Sequence, residues 1–125
     1  MFSYSIDTDH ERGFVRVTAR GEAELEEARE VITEARIAAA EHGYPLLYDL
    51  REVIVQVSLT EWFYLPRELE VLRDEKTVAT RVAALLSSDP RQRAGYELYE
   101  AATHNLGLTV KLFDDEDAAL DWLLG

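Results

Sequence analysis

A carboxylate, a hydroxyl and an imidazole are the raw material of acid–base and nucleophilic catalysis, and Asp49, Ser58 and His104 supply one of each. Nothing in their spacing calls for an enzyme. There is no cysteine, which excludes thiol catalysis, disulfides and thiolate metal sites. His10, His42 and His104 are scattered over a turn and two helix ends, without metal-ligand spacing. The run Asp114-Asp115-Glu116-Asp117 lacks the alternation and glycine of a calcium loop. No phosphate loop, dinucleotide glycine pattern or nucleophile elbow is present. The expectation is a binding protein with no catalytic residue, no metal and no cofactor.

Three groups of residues could do the binding. Asp49, Ser87, Ser88, Asp89 and Asp114 each follow a strand-like apolar run, at the carboxyl edge where open α/β sheets hold ligands. They could line one crevice, with Arg51 and Arg91 to counter an anion, although Asp89 and Asp114 also suit helix caps. Ser58 is a candidate phosphoacceptor; its capping-box spacing to Glu61 equally suits a plain helix start. The third group is aromatic: Trp62-Phe63-Tyr64-Leu65, with Tyr96 and Tyr99 further on. Four successive apolar residues on a helix cannot all face one core, so some must meet a partner, a ligand or solvent.

The elements that position these groups follow from periodicity. Phe2, Tyr4 and Ile6 alternate with polar residues, as do Val15, Val17 and Ala19 after the turn Asp9–Gly13, which predicts a β-hairpin. A helix is expected over about residues 22–42, with Leu25, Ala28, Ile32, Ala35 and Ala39 as its apolar stripe and Gly43 as its left-handed stop. The central strand starts at Pro45 and ends near Asp49, with Val53–Val57 either an extension or a loop. A short helix from Ser58 should break near Pro66, with a second running to about Arg73. Thr80–Leu86 reads as a strand covered on both faces, and Asp89-Pro90 starts a helix to His104 with Ala94, Leu98, Ala101 and Ala102 inward. Leu108–Phe113 is the last strand. The final helix packs through Ala118, Ala119, Trp122 and Leu123. The order ββαβαβαβα makes a single α/β domain over residues 1–125, a mixed five-stranded sheet whose central strands are mainly parallel.

Composition narrows the partners. A net charge of −12 repels phosphate backbones and anionic lipid surfaces, which argues against nucleic acid and membrane docking. No apolar run approaches the ~20 residues of a membrane span, and Met1–Asp7 lacks the basic start of a signal peptide, so a cytoplasmic location is expected.

The element order over the whole chain, with Leu46-Leu47-Tyr48-Asp49-Leu50-Arg51 at the third strand and Gly107-Leu108-Thr109-Val110-Lys111-Leu112-Phe113 before Asp115–Leu123, resembles the STAS domain (sulfate transporter and anti-sigma-factor antagonist). More narrowly, it is similar to the small bacterial proteins called SpoIIAA-like or STAS/SEC14-like. The resemblance implies a non-enzymatic regulatory module acting through protein–protein contact, or a carrier of a small apolar ligand. It lays Val57-Ser58-Leu59-Thr60 over the segment that carries the phosphoacceptor in anti-sigma antagonists. Ser58 falls on a hydroxyl position, but Val57 replaces the acidic residue and the glycine is absent. Trp62-Phe63-Tyr64 replaces the small-residue helix that docks a kinase partner there. A partner-docking surface would leave these aromatics exposed, homodimerisation included, whereas a ligand pocket would turn them inward around a void.

Overall fold

The computed structural model describes residues 1–125. The two alternating runs form β1 (Ser3–Asp9) and β2 (Phe14–Ala23), paired antiparallel, and β3 (Leu46–Val55), β4 (Arg81–Leu86) and β5 (Thr109–Phe113) follow, all parallel to β2. The spatial order is β1-β2-β3-β4-β5, so β3 is central, as expected. That order dictates the layers. Each parallel crossover steps the same way across the sheet, and a right-handed crossover then puts every connecting helix on one face. The crossover helices are α1 (Leu25–His42), α2 (Leu59–Glu68) with the short helix α3 (Glu75–Val78), and α4 (Pro90–Asn105). Only α5 (Glu116–Leu124), which follows the last strand, covers the other face.

The two faces have separate cores. Under α1, α2 and α4 lie Val15, Val17, Leu46, Tyr48, Val82 and Val110 with Ile32, Trp62, Leu65 and Tyr96. Under α5 lie Phe14, Leu47, Ala83 and Leu85 with Ala119 and Leu123. β4 is buried on both faces, as its unbroken apolar run requires.

Several boundaries differ from the sequence expectation. β2 runs to Ala23, so Glu22 belongs to a strand, and α1 begins only at Leu25, with Glu24 as its N-cap and Glu27 bonding back to the Glu24 amide. Gly21 (φ 91°) permits this extension, because a side chain there would collide with the Met1 carbonyl. β3 does not stop near Asp49; it continues to Val55, and a bulge opposite Thr18–Arg20 inserts one extra residue. Beyond Leu50 it has lost β4 and keeps only β2. Buried Gln92 of α4 takes the place of the missing strand, its Oε1 accepting from the Val55 amide at 2.9 Å and its Nε2 donating to the Val55 carbonyl. Pro66 does not break α2. The helix ends two residues later at Glu68, the following Leu69 has an extended backbone, and a 3-10 turn (Glu70–Arg73) leads on. In α4 the buried residues are Gln92, Gly95, Tyr96, Ala102 and Thr103, while Ala101 is exposed; in α5 Ala118 is exposed too.

Candidate functional site

The residues expected at the sheet's carboxyl edge separate into two groups. A crevice forms in a doubly wound sheet where the strand order reverses, and this order never reverses. On the α5 face, Asp49 is clasped by Arg51, whose Nε and Nη2 donate to its two oxygens at 2.9 and 2.8 Å. Arg16 stands 3.7 Å from the same carboxylate, and Glu116 accepts from both arginines. The Arg51 side chain and amide hold the Asp49 carboxyl below the ordinary aspartate range, against the opposing effect of burial. The second group surrounds Arg93, which donates to Asp114 at 2.5 Å and to the Ser87 carbonyl. Asp89 caps α4 through the Arg91 amide, and its own amide donates to the Ser87 hydroxyl. Ser88 is exposed. Each of these carboxylates is thus already engaged by a protein donor.

Ser58 is the N-cap of α2. Its hydroxyl accepts from the Glu61 amide at 3.1 Å, and Glu61 returns a bond from the Ser58 amide at 3.0 Å. The residue is nonetheless exposed. The three histidines are less scattered than their positions suggest. His10 and His42 meet edge to face, and Tyr44 stacks on His42 while its hydroxyl lies 3.3 Å from His10 Nδ1. His104 Nε2 lies 2.9 Å from the Val110 carbonyl. No group of three or more metal-ligating side chains assembles.

The aromatic segment divides between two faces of α2. Trp62 (5% exposed), Leu65 and Pro66 turn inward, whereas Leu59 and Tyr64 keep 52% and 48% of their surface in solvent. Trp62 packs edge-on against Tyr96 and Tyr99. Gly95 makes that seat possible, because an added Cβ would stand 2.3 Å from Trp62 Nε1. Beneath the indole is a cavity of about 80 Å³, bounded by Ile32, Tyr48, Val82, Tyr96 and Tyr99 among others, and every lining residue is hydrophobic. A water takes ~30 Å³ and needs two to four polar partners, so there is room for about three waters and nothing to hold them. Left unfilled, a void of that size costs about 2 kcal/mol.

On the same face lies a feature the sequence did not announce. Arg36, from the inward stripe of α1, is 1% exposed and has no carboxylate within ion-pair reach. Burial raises the pKa values of Tyr48 and Tyr99, and the Arg36 charge opposes that rise. The one hydrogen bond of Arg36 runs from Nη1 to the Thr77 carbonyl at 3.2 Å. Arg36 Nε and Tyr48 Oη are buried without partners. The only sequence signal was an arginine one position from the apolar stripe.

No protein-family model matches the chain, and no curated protein matches it. Among solved structures, an uncharacterized protein of the DUF3478 family with a SpoIIAA-like fold, from Shewanella loihica, superposes with a TM-score of 0.58 at 21% identity, over 98% of this chain and 93% of that one. The anti-sigma factor antagonist SpoIIAA in its unphosphorylated form gives 0.57 at 16% identity, over 98% and 99%. Phosphorylated SpoIIAA, a Bacillus cell fate determinant, gives 0.54 at 20% identity over 96% and 98%. The chain therefore has the SpoIIAA-like, STAS-type fold. No helix is long and apolar enough to cross a membrane.

Proposed function

We propose that this chain, with its STAS-type fold, is a non-catalytic regulatory module that docks a protein partner on the outer face of α2. The division of that helix carries the proposal. Spacing of four sets Leu59 beside Phe63 and Thr60 beside Tyr64, so the outer side exposes Leu59 and Tyr64 with half-buried Phe63 between them, Arg67 over the Phe63 ring, and Glu61 and Glu68 at the edge. Patches of this kind, rich in aromatics and bordered by charge, mark interaction sites. A second copy of the chain is the simplest partner, since a two-fold contact requires the patch to match only itself. Exposed Ser58 stands at the start of the same helix, where an added phosphate would meet the positive end of its dipole. The likeness to an anti-sigma factor antagonist known in two phosphorylation states supports a regulatory role of this general kind.

The test is site-specific photocrosslinking from Thr60 in the native host, with Glu41 on α1 as the control position, beside sedimentation of the purified protein. A discrete adduct from Thr60 alone, abolished by Leu59→Glu with Tyr64→Glu, is the expected result. Adducts that ignore the double substitution would overturn the proposal, as would a strict monomer that crosslinks to nothing.

A second reading, capture of a small apolar ligand, is favoured by one observation: Trp62 roofs a wholly apolar cavity. Titration with xenon, followed at the Trp62 indole N–H resonance, should give a saturable shift. An unmoved resonance counts against the ligand.

A further inference from the structure

We infer that two copies of the chain pair antiparallel through β1, about a two-fold axis at Ser5, and so join their sheets edge to edge. This contact is separate from the outer face of α2. α1 stands between them, touching β1 through Tyr4 and Glu34 and α2 through Arg29 and Glu68. The two ends of the sheet are built differently. An edge strand presents unpaired amides and carbonyls, and proteins blunt it with short length, lysine, proline or a bulge. β5 is blunted: it has five residues, includes Lys111, and has His104 Nε2 at 2.9 Å from its Val110 carbonyl. β1 has none of these devices. It runs seven residues without lysine or proline, and its register with β2 is unbroken from Ser3 to Asp9.

The hydrogen bonds around the hairpin fix which groups of β1 face outward. The Asp9 carbonyl accepts from the Gly13 amide at 2.8 Å, while the Val15 amide of β2 turns the other way, to the Pro45 carbonyl. Backbone direction alternates along a strand, so Asp9, Asp7, Ser5 and Ser3 bond to β2. The amides and carbonyls of Tyr4, Ile6 and Thr8 then point out of the edge. Self-pairing centred on Ser5 matches residues on both faces of the sheet. On the helix-covered face, Ile6 meets Tyr4 of the second copy, and both are half-buried residues that already pack on the large core. On the other face, Ser5 meets Ser5 and Asp7 meets Ser3, all exposed. Ser3 lies opposite Arg20, so each Asp7 points across a small serine toward the exposed Arg20 of the second copy. Centring the pair on Asp7 would set two carboxylates against each other. The edge is thus complementary to itself in shape and in charge, which makes a second copy its partner.

The chain has no cysteine, so single introduced cysteines report the contact without background. Residue 5 would form a non-hydrogen-bonded pair on the axis, with Cα atoms about 4.5 Å apart and within disulfide reach. Mild oxidation of Ser5→Cys should therefore give a covalent dimer, and Ser3→Cys, which faces Asp7, should not. Sedimentation should show a monomer–dimer equilibrium that tightens with added salt, since two chains of net charge −12 repel until screened. Ser5→Asp and Ser5→Lys should each weaken the dimer several-fold, and an equimolar mixture of the two should restore it. That restoration also establishes that both variants are folded. Failure of Ser5→Cys to cross-link would overturn the edge pairing, as would a monomer at every concentration. A dimer that ignores both charges at position 5 and links through Thr60→Cys would also overturn it, while leaving self-contact at α2 standing. Linkage through Ser5→Cys with no adduct from Thr60 would support the edge and count against the α2 proposal.

Discussion

Arg51 and Arg36 lie on opposite sides of one sheet and are treated in opposite ways. Arg51 is nearly half exposed, yet it has a bidentate aspartate and a second carboxylate. Arg36 is sealed from solvent and has no carboxylate at all. Water would have solvated Arg51 without help, so its pairs mainly fix geometry across β2, β3 and α5. At Arg36 the same charge has nowhere to discharge its electrostatic demand. The α5 face is therefore electrostatically closed and tightly packed, while the three-helix face keeps both an unfilled void and an unmatched cation.

The largest effect should come from forcing a second uncompensated charge into the incomplete side. Ile32 is buried on the inner stripe of α1 and lines the cavity. Ile32→Asp should cost about 4 kcal/mol or more in urea unfolding. Little change in the midpoint would mean that the void admits water and that this face is not dry.

Removing the cation that is already there should act in the other direction. Replacing a buried, poorly paired charge by an apolar side chain of similar size is neutral or stabilising by about 1–4 kcal/mol. Arg36→Met should therefore raise the unfolding midpoint of the free protein, whereas Arg51→Met should lower it. If both lowered it alike, the contrast between the two faces would be wrong.

The two cores also differ in how much of them could be read from the chain. Element order and the hairpin follow from periods of two and of three to four, and these survive in the structure because packing and propensity agree there. Leu25 and Ile32 named the correct side of α1. Trp62 could not be assigned inward or outward, because its neighbours Phe63 and Tyr64 have the same hydrophobicity. What seats it is Gly95, thirty-three positions away, whose missing side chain is a tertiary fact. Gln92 and Arg36 escaped notice for a related reason. Polar residues inside are chosen by the groups they meet, an overhanging strand in one case and the Thr77 carbonyl in the other. The expected crevice needed a reversal of strand order, and strand order depends on which helix packs where.

A neighbouring pair in β4 compares the packing of the two faces directly. Ala83 is fully buried under α5, while Ala84 lines the cavity on the other side. Both sit in the same strand, so strand propensity cancels. Two extra methyl groups at Ala83 have no space to enter and should cost about 1–3 kcal/mol by thermal or chemical unfolding. At Ala84 they enter empty volume, and Ala84→Val should be neutral or stabilising. Equal penalties at the two sites would show that the cavity collapses in solution.

The smallest effect should be seen in the acid limb of stability, and it belongs to the closed face. Asp49 keeps only 14% of its side-chain surface in solvent, and the Arg51 side chain and amide, with Arg16 behind, lower its pKa in the folded state. Unfolded, it titrates near the ordinary value of about 3.9. A depressed folded pKa adds stability that is complete above the unfolded value and disappears as pH falls through the folded one. Water reaches Arg51 and Glu116, which screens the pairs, so Asp49→Asn should cost only about 1 kcal/mol at neutral pH. The deficit should stay constant down to about pH 5 and then shrink, with the two proteins converging once pH has fallen through the lowered folded pKa. A deficit that persisted at low pH would assign the role of Asp49 to packing between β3 and α5. One that was absent at every pH would mean that Glu116 alone holds both arginines in place.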